Sequence, residues 1–579
     1  MSTRISLTRL LGFKEFFPNC NNTSKDYYAQ IVGRELIESL VCTLLSYSRC
    51  GLDPNAQESI LVWFSFEGIS YEEVLEYKLV SNIYSKIAEA NPHQNLSIIS
   101  EESLLNLFLW ASNNSMIPDK VPGFDGPILL SLLQLLLLFN EEVLENYEKA
   151  QNSIKKYGND RKLQRLALAQ SFPQNDLINV DYALLSYTQL YKLMRLLEFL
   201  ESESKYTPLL NNLLQEFGSK SKVDYFKALT SAAFISMNNR EPTATRFTTE
   251  NNPEKEKDAE ILEKLSVADR VELEQDDYLP LRDRPLQRLD KYNYRVIYDL
   301  FLLKKLYNGT IFKLSSFDED FMGNIRSDFS EEVLLYESLN AFPKPIWCVS
   351  IPGIEFKRVK LPREPDYYLR YNDDIMLFES KDFFIKGKIK LSYDFDKIEG
   401  ELKKEGRLMK AVKQLATNAL RCLKQEMPLD KTYDLKRLRV FPIIIVHDSL
   451  YSASGLNYWV YYWFMDELRL LQNDPANSML NFSKIMPITI IEIDTIILFQ
   501  AHFANGSLDL VSMLLRFHEH VLYDPLGRVN SSNVEEQIMK SLLPFSEFAR
   551  EYGYSKGIKL SLDPLTGVLS RYELDGLLP

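Results

Sequence analysis

A polar, charged stretch near the middle of the chain separates two halves whose apolar residues recur with different periods. From about residue 28 to residue 235 the pattern is Leu-rich with helical spacing, as in Leu184, Tyr187, Tyr191, Met194 and Leu197 of DYALLSYTQLYKLMRLLEFLE. No convincing self-similarity at the period of a helical solenoid, about 33 to 47 residues, runs through it. Beyond residue 290 the pattern becomes short β-rich runs (346–351, 367–371, 375–379, 440–447, 488–493) separated by helical stretches, after a helical signal near 294–308. The stretch between the halves, NNREPTATRFTTENNPEKEKDAE and then VELEQDDYLPLRDRP, carries little apolar surface to offset the entropy of ordering. The expected layout is therefore an all-α N-terminal domain (1–237), a polar acidic linker (238–290), an α/β domain (291–545) and a C-terminal extension (546–579).

Composition narrows the function classes. With 67 Lys and Arg against 80 Asp and Glu, the net charge of −13 argues against broad, non-specific coating of nucleic acid. Five cysteines without a C-x-x-C pair indicate neither a disulfide framework nor a zinc site, which suits a reducing, cytoplasmic setting. The longest apolar run, Ile128 to Phe139, is well short of the roughly 20 residues that span a bilayer, and the first residues lack a secretory pattern, so no membrane association is expected. His518 and His520 sit two apart on a helical stretch and do not share a face. Glu492 and Asp494 read as part of a core strand and helix. Neither a phosphate-binding G-x-x-x-x-G-K-[ST] loop nor a G-x-S-x-G elbow is present, so any nucleotide-driven motor would be a separate regulatory or ATPase subunit.

The segment from Glu364 to Asp382, EPDYYLRYNDDIMLFESKD, carries the chemistry. Two strand-like runs flank Asn372-Asp373, residues that tolerate the positive φ of a tight hairpin turn. A two-residue loop there places Asp366 opposite Glu379 on one face, and Lys381 returns to that face two residues on. A three-residue loop through Asp374 would turn Glu379 away. Two carboxylates and an ammonium converging on a point suit Mg²⁺ or Mn²⁺ and metal-assisted attack of water on a phosphodiester.

Pro365-Asp366, twelve intervening residues and Glu379-Ser380-Lys381 resemble the active-site signature of the PD-(D/E)XK nuclease superfamily, over roughly residues 325–450. The resemblance implies a restriction-endonuclease-like core, a mixed sheet flanked by helices. It further implies Asp366 and Glu379 as metal ligands with the Ser380 carbonyl, and Lys381 as the group that orients the attacking water. Family members often add an acidic residue from the preceding helix, here DFSEEVLLYESLN; Glu332 is the candidate, with Glu331 and Glu337 competing and Asp328 with Glu331 also forming a capping-box pattern. After the hairpin a helix over about 398–426 carries Lys410, Lys413, Gln414, Arg421 and Lys424. Gln414 matches a Gln-x-x-x-Tyr element of RecB-type members, whereas Asn418 stands where Tyr would be. Lys410, Lys413, Gln414 and Arg421 are the nucleic-acid-binding candidates. From Gly353 to Val440 there are 21 Lys and Arg against 15 Asp and Glu, the one clear positive excess in the chain. Lys386, Lys388 and Lys390 alternate at strand spacing, either to follow a phosphate backbone or to protect a sheet edge.

The expected function is Mg²⁺-dependent DNA endonuclease activity in prokaryotic restriction, anti-phage defence or repair, with RNA as the alternative substrate, a homodimer for double-strand cutting, and a helical half that senses or gates. Two other readings stand beside it: an inactive nuclease fold that only binds nucleic acid, and a helical interaction scaffold with a coincidental motif.

Overall fold

Leucines at helical spacing and β-branched runs near the C-terminal half build two separate cores, and the boundary between them is not where the composition changes. The computed structural model describes residues 8–47, 50, 71–91, 95–119, 128–177, 181–237, 245–267, 277–521 and 534–558. By its contacts the chain divides into one unit of Met1–Glu148, Leu177–Phe317 and Asp563–Pro579, and a second of Lys149–Asp176 and Asp318–Leu562. Among the described residues no helix is long and apolar enough to cross a membrane, and no disulfide joins the cysteines.

The first unit is dominated by helices, among them Arg34–Ser46, Glu101–Asn113, Tyr182–Ser202 and Lys222–Met237. Asp181 caps one of them, its carboxylate accepting from the Leu184 N–H at 3.1 Å. The expectation of an all-α region is corrected in part. Thr8–Leu10 and Asn95–Ser97 pair in parallel, and a four-stranded sheet joins Arg246–Thr248, Asn293–Val296, Leu286–Arg288 and Ser266–Val267. That sheet and the helix Lys255–Lys264 occupy the expected linker, of which 238–244 and 268–276 lie outside the described residues. The linker reading fails because average polarity hides a few well-placed apolar groups: Ile261, Leu262, Leu265, Leu281 and Leu286 are all buried. A boundary at 291 would also cut between two paired strands of this sheet.

The second unit is mixed α/β. Five strands, β1 (Cys348–Pro352), β2 (Tyr367–Tyr371), β3 (Asp374–Lys381), β4 (Arg439–Val446) and β5 (Thr489–Glu492), lie in the order β5-β4-β3-β2-β1. β1, β2 and β3 pair antiparallel, and β3, β4 and β5 pair parallel. Ile375 to Phe378 of β3 are all wholly buried, as a central strand covered on both faces requires. The helices that matter for the site are α1 (Lys162–Gln174), α2 (Arg326–Leu335, continued by Tyr336–Asn340), α3 (Gly353–Arg358) and α4 (Leu408–Leu423).

α1 ends more than 140 residues of chain before Asp318, where its unit resumes, yet is built into that unit. Trp459 Nε1 donates to the Gln164 carbonyl at 3.3 Å, Asn175 Nδ2 donates to the Ser449 carbonyl at 2.6 Å, and the Arg165 guanidinium lies over the rings of Tyr157 and Trp459 at 3.7 and 4.7 Å. The expected helix over 398–426 is two helices, Phe395–Leu402 and α4, parted at Gly406, whose φ of +83° a side chain would resist. Lys388 and Lys390 lie on a four-residue helix beginning at Gly387, with Lys386 just before it, rather than on a strand. Lys390 is buried, 2.7 Å from Asp176. The helical signal at 294–308 opens as a strand and turns helical at Asp299. A boundary at 546 would cut the helix Phe545–Ser555, and 559–579 lie outside the described residues.

The hairpin is pinned by a buried ion pair. Arg370 on β2 grips Asp430 in a fork, Nε to Oδ2 at 2.5 Å and Nη2 to Oδ1 at 3.1 Å, and Tyr368 Oη donates to Oδ2 at 2.8 Å. Burial pushes the Asp430 carboxyl upward, but the Arg370 and Thr432 hydrogen bonds outweigh it and hold it below its ordinary value of 3.8. A carboxyl lowered on folding stabilises above its unfolded pKa, and that contribution is lost as pH falls through the folded value. Asp430→Ala strands the buried guanidinium and is expected to remove about 3–5 kcal/mol from urea-measured stability at pH 7, with a smaller difference below about pH 3.

Candidate active site

Asn372, at φ +53°, makes the turn that sets the register. Tyr371 pairs with Asp374 and Tyr367 with Phe378, so the loop is the two residues Asn372-Asp373 and the pairing frame is the expected one. Regular pairing stops one pair short of Asp366 and Glu379. The Asp366 N–H donates to the Phe378 carbonyl at 3.0 Å, and its carboxylate turns in to accept from the Ser380 N–H at 2.6 Å. From the other side the Gly353 N–H donates to the Asp366 carbonyl at 2.8 Å. A Cβ at Gly353 would lie 2.8 and 2.9 Å from the carbonyl oxygens of Asp366 and Pro365, so only glycine lets α3 begin this close.

Asp366, Glu379, Ser380 and Lys381 thus come together. Lys381 Nζ donates to Glu379 Oε2 at 3.3 Å and to the Ser380 carbonyl at 2.9 Å. Gln414 on α4 donates from Nε2 to Glu379 Oε1 at 3.2 Å, while its own Oε1 is buried without a hydrogen-bond partner. Glu379 is wholly buried; burial first, and then the neighbouring Asp366 charge, drive its carboxyl well above the usual range. Burial also raises Asp366, against the pull of Lys381 and the Ser380 N–H. For Lys381 burial opposes the charge, but Glu379 and Asp366 prevail and hold the ammonium protonated.

On the preceding helix it is Glu331 whose charge interacts with Asp366, whereas Glu332, the expected candidate, is exposed. The physical reason is that α2 is a π-helix, whose wider turn departs from the 3.6-residue period. Its buried positions, Phe329 and Ser330 and then Leu334 and Leu335, recur at a spacing of five. Ser330 Oγ donates to Asp382 Oδ2 at 2.6 Å, and Glu331 Oε1 accepts from Lys357 Nζ and Tyr336 Oη, each at 3.3 Å. Burial and then the Asp366 charge push the Glu331 carboxyl up to about 7, against Lys357 and Tyr336.

Of the nucleic-acid-binding candidates, Lys410 and Lys413 are exposed on α4. Arg421 donates to Asn418 Oδ1 at 2.6 Å. Gly353, Lys357 and His447 went unrecognised in the sequence. His447 Nε2 lies 2.8 Å from Ser380 Oγ on the other side of β3. Pro352-Gly353 after a strand was the available cue for the first; nothing local marks the other two. His518 is a core residue, 2.8 Å from Thr489 Oγ1 and lowered by burial to about 4.

Among the described residues no group of three or more His, Cys, Asp or Glu side chains is arranged to hold a metal ion. The donors present are two carboxylates and a backbone carbonyl, a hard-oxygen set of the kind that takes Mg²⁺ with waters completing the shell. Raised carboxyls side by side and the unmatched Gln414 oxygen are a polar surplus that a hydrated divalent cation fits. Comparison of the chain with protein-family models, curated proteins and solved structures finds no match.

A carboxyl raised on folding binds its proton more tightly in the folded state, so ionising it costs stability as pH climbs from its ordinary 4.5 through about 7. Glu331→Gln is expected to raise thermal stability at pH 8 by the equivalent of about 1–3 kcal/mol and to be neutral near pH 4; paired melting curves at the two pH values check this.

Proposed function

We propose that the second unit is a metal-dependent phosphodiesterase of the PD-(D/E)XK type, acting on DNA. The observation that carries this reading is the meeting of Asp366, Glu379, the Ser380 carbonyl and Lys381 at the end of a hairpin in register. The five-stranded mixed sheet and the helices on it agree with the architecture the resemblance implies.

Asp366 and Glu379, with the Ser380 carbonyl, would hold Mg²⁺ or Mn²⁺. The cation, when bound, would lower the pKa of a water and offset charge on the phosphate. Lys381, kept protonated by its carboxylate neighbours, orients that water and stabilises the charge that grows on the phosphoryl oxygens. Gln414 holds Glu379 through its amide, and Glu331 lies close enough to Asp366 for their charges to interact. Lys410, Lys413 and Arg421, on the same helix as Gln414, position the phosphate backbone and carry no sequence information by themselves. A separate regulatory or ATPase chain and a homodimer belong to the same proposal.

The test is cleavage of supercoiled plasmid, linear duplex, single strand and RNA with Mg²⁺, Mn²⁺ or EDTA. Cutting is expected with metal only. Asp366→Ala and Lys381→Ala should each slow it by about 100-fold or more, whereas Glu332→Ala should leave it unchanged. Cutting that survives both site substitutions would remove this hairpin from the reaction.

A further inference from the structure

The short loop between α3 and β2, residues 359–366, bends twice into the left-handed region, with Lys360 at φ +56° and Arg363 at φ +55°. Neither is a glycine or asparagine, the residues that adopt this conformation at least cost. Such a shape persists where its surroundings over-determine it. The Lys360 N–H donates to the Lys357 carbonyl at 2.9 Å and the Leu361 N–H to the Phe356 carbonyl at 3.0 Å. The Arg363 carbonyl accepts from Asn418 Nδ2 at 2.9 Å and lies 3.5 Å from Arg421 Nη1, which is itself held by Asn418 Oδ1.

Asn418 is wholly buried, so α4 devotes a buried amide to fixing a loop whose Lys360 and Arg363 side chains are exposed. The loop leads straight into Pro365-Asp366. Asn418 thus holds the Arg421 guanidinium beside the backbone of Arg363, whose own side chain is exposed. Burial holds Arg421 below its ordinary range, and the Arg363 charge adds to this while Glu426 opposes it. A phosphate offers two non-bridging oxygens that can accept from neighbouring guanidinium groups, whose planar forks match phosphate geometry.

We infer that this loop is a phosphate arm, in which Arg363 and Arg421 together receive one backbone phosphate of a nucleic-acid strand lying in the candidate active site, and that Asn418 is the residue that positions them. The inference rests on the phosphodiesterase reading of the neighbouring carboxylates. Arg363 and Asn418 are then a binding and a positioning residue; neither touches the reacting atoms.

The experiment uses the full chain with a fluorescent duplex, its single strand and an RNA of the same sequence. Anisotropy is followed over a salt series with Ca²⁺ replacing Mg²⁺, beside a Mg²⁺ cleavage assay. Arg363→Ala is expected to weaken binding about 10-fold and to lower the slope of log Kd against log salt by about one. Asn418→Asp, which keeps the size and loses the donor to Arg363, should reproduce that loss and raise KM with kcat little changed. Arg358→Ala, which removes an equal charge from an exposed residue paired with Glu355, should alter neither affinity nor slope. The nucleic acid showing the largest Arg363 effect identifies the strand type the arm serves.

Wild-type affinity and slope in Arg363→Ala, or an equal loss in Arg358→Ala, would overturn the arm. If Asp366→Ala abolishes cleavage while Arg363→Ala binds normally, the arm is wrong and the hydrolase stands. If the wild type never cleaves but the Arg363 binding defect is present, the hydrolase reading is wrong and the arm stands. No binding of the wild type to any of the three overturns both.

Discussion

Because side chains alternate across a strand with period two, the turn at Asn372-Asp373 decides whether Glu379 and Lys381 face Asp366 or the opposite side of the sheet. Several unrelated contacts hold that choice. Arg370 and Asp430 lock β2 from within, Gly353 clears the way for α3 against Pro365-Asp366, and His447 engages Ser380 from the other face. None of these residues carries the proposed chemistry, yet each fixes the frame on which the carboxylates and the ammonium depend.

The site is electrostatically expensive. Two like unit charges about 5 Å apart repel by about 3 kcal/mol at an effective dielectric of about 20, before the cost of burying either. Glu379 is wholly buried with Asp366 beside it and Glu331 close to Asp366, against Lys381 and Lys357. A fold that served stability alone would gain from an apolar residue at 379. Strongly raised carboxyls that share a site are the pattern expected where charge is arranged for a ligand or a reaction.

Local sequence carried the hairpin, because one turn and two adjoining strands are specified within the fifteen residues Tyr367–Lys381. The same reasoning failed where long-range packing decides. Residues 245–267 and 277–290 are polar on average, yet Ile261, Leu262 and Leu286 reach a core supplied by distant segments. Lys390 follows a strand-like alternation with Lys386 and Lys388, but its charge is buried against Asp176, a partner more than 200 residues earlier. Glu331 was one residue from the expectation because a π-helix shifts phase in a way no 3.6-residue template contains. Asn418, where the resemblance implies Tyr, is buried and holds the Arg363 carbonyl with its amide, a long-range role that no local motif marks.

The placement of Lys149–Asp176 changes how a division of labour within the chain has to be tested. Deleting the first 235 residues to remove a regulatory region would also remove α1, whose Gln164 carbonyl, Arg165 guanidinium and Asn175 amide bind Trp459, Tyr157 and Ser449 within the second unit. It would also remove Asp176, the carboxylate 2.7 Å from the buried Lys390, and losing one partner of a buried ion pair is strongly destabilising. Loss of activity in such a deletion would therefore report on folding of the α/β unit itself. A regulatory role of the helical unit would be separable from the proposed catalysis only through substitutions confined to Met1–Glu148 and Leu177–Phe317, which leave α1 and its partners in place.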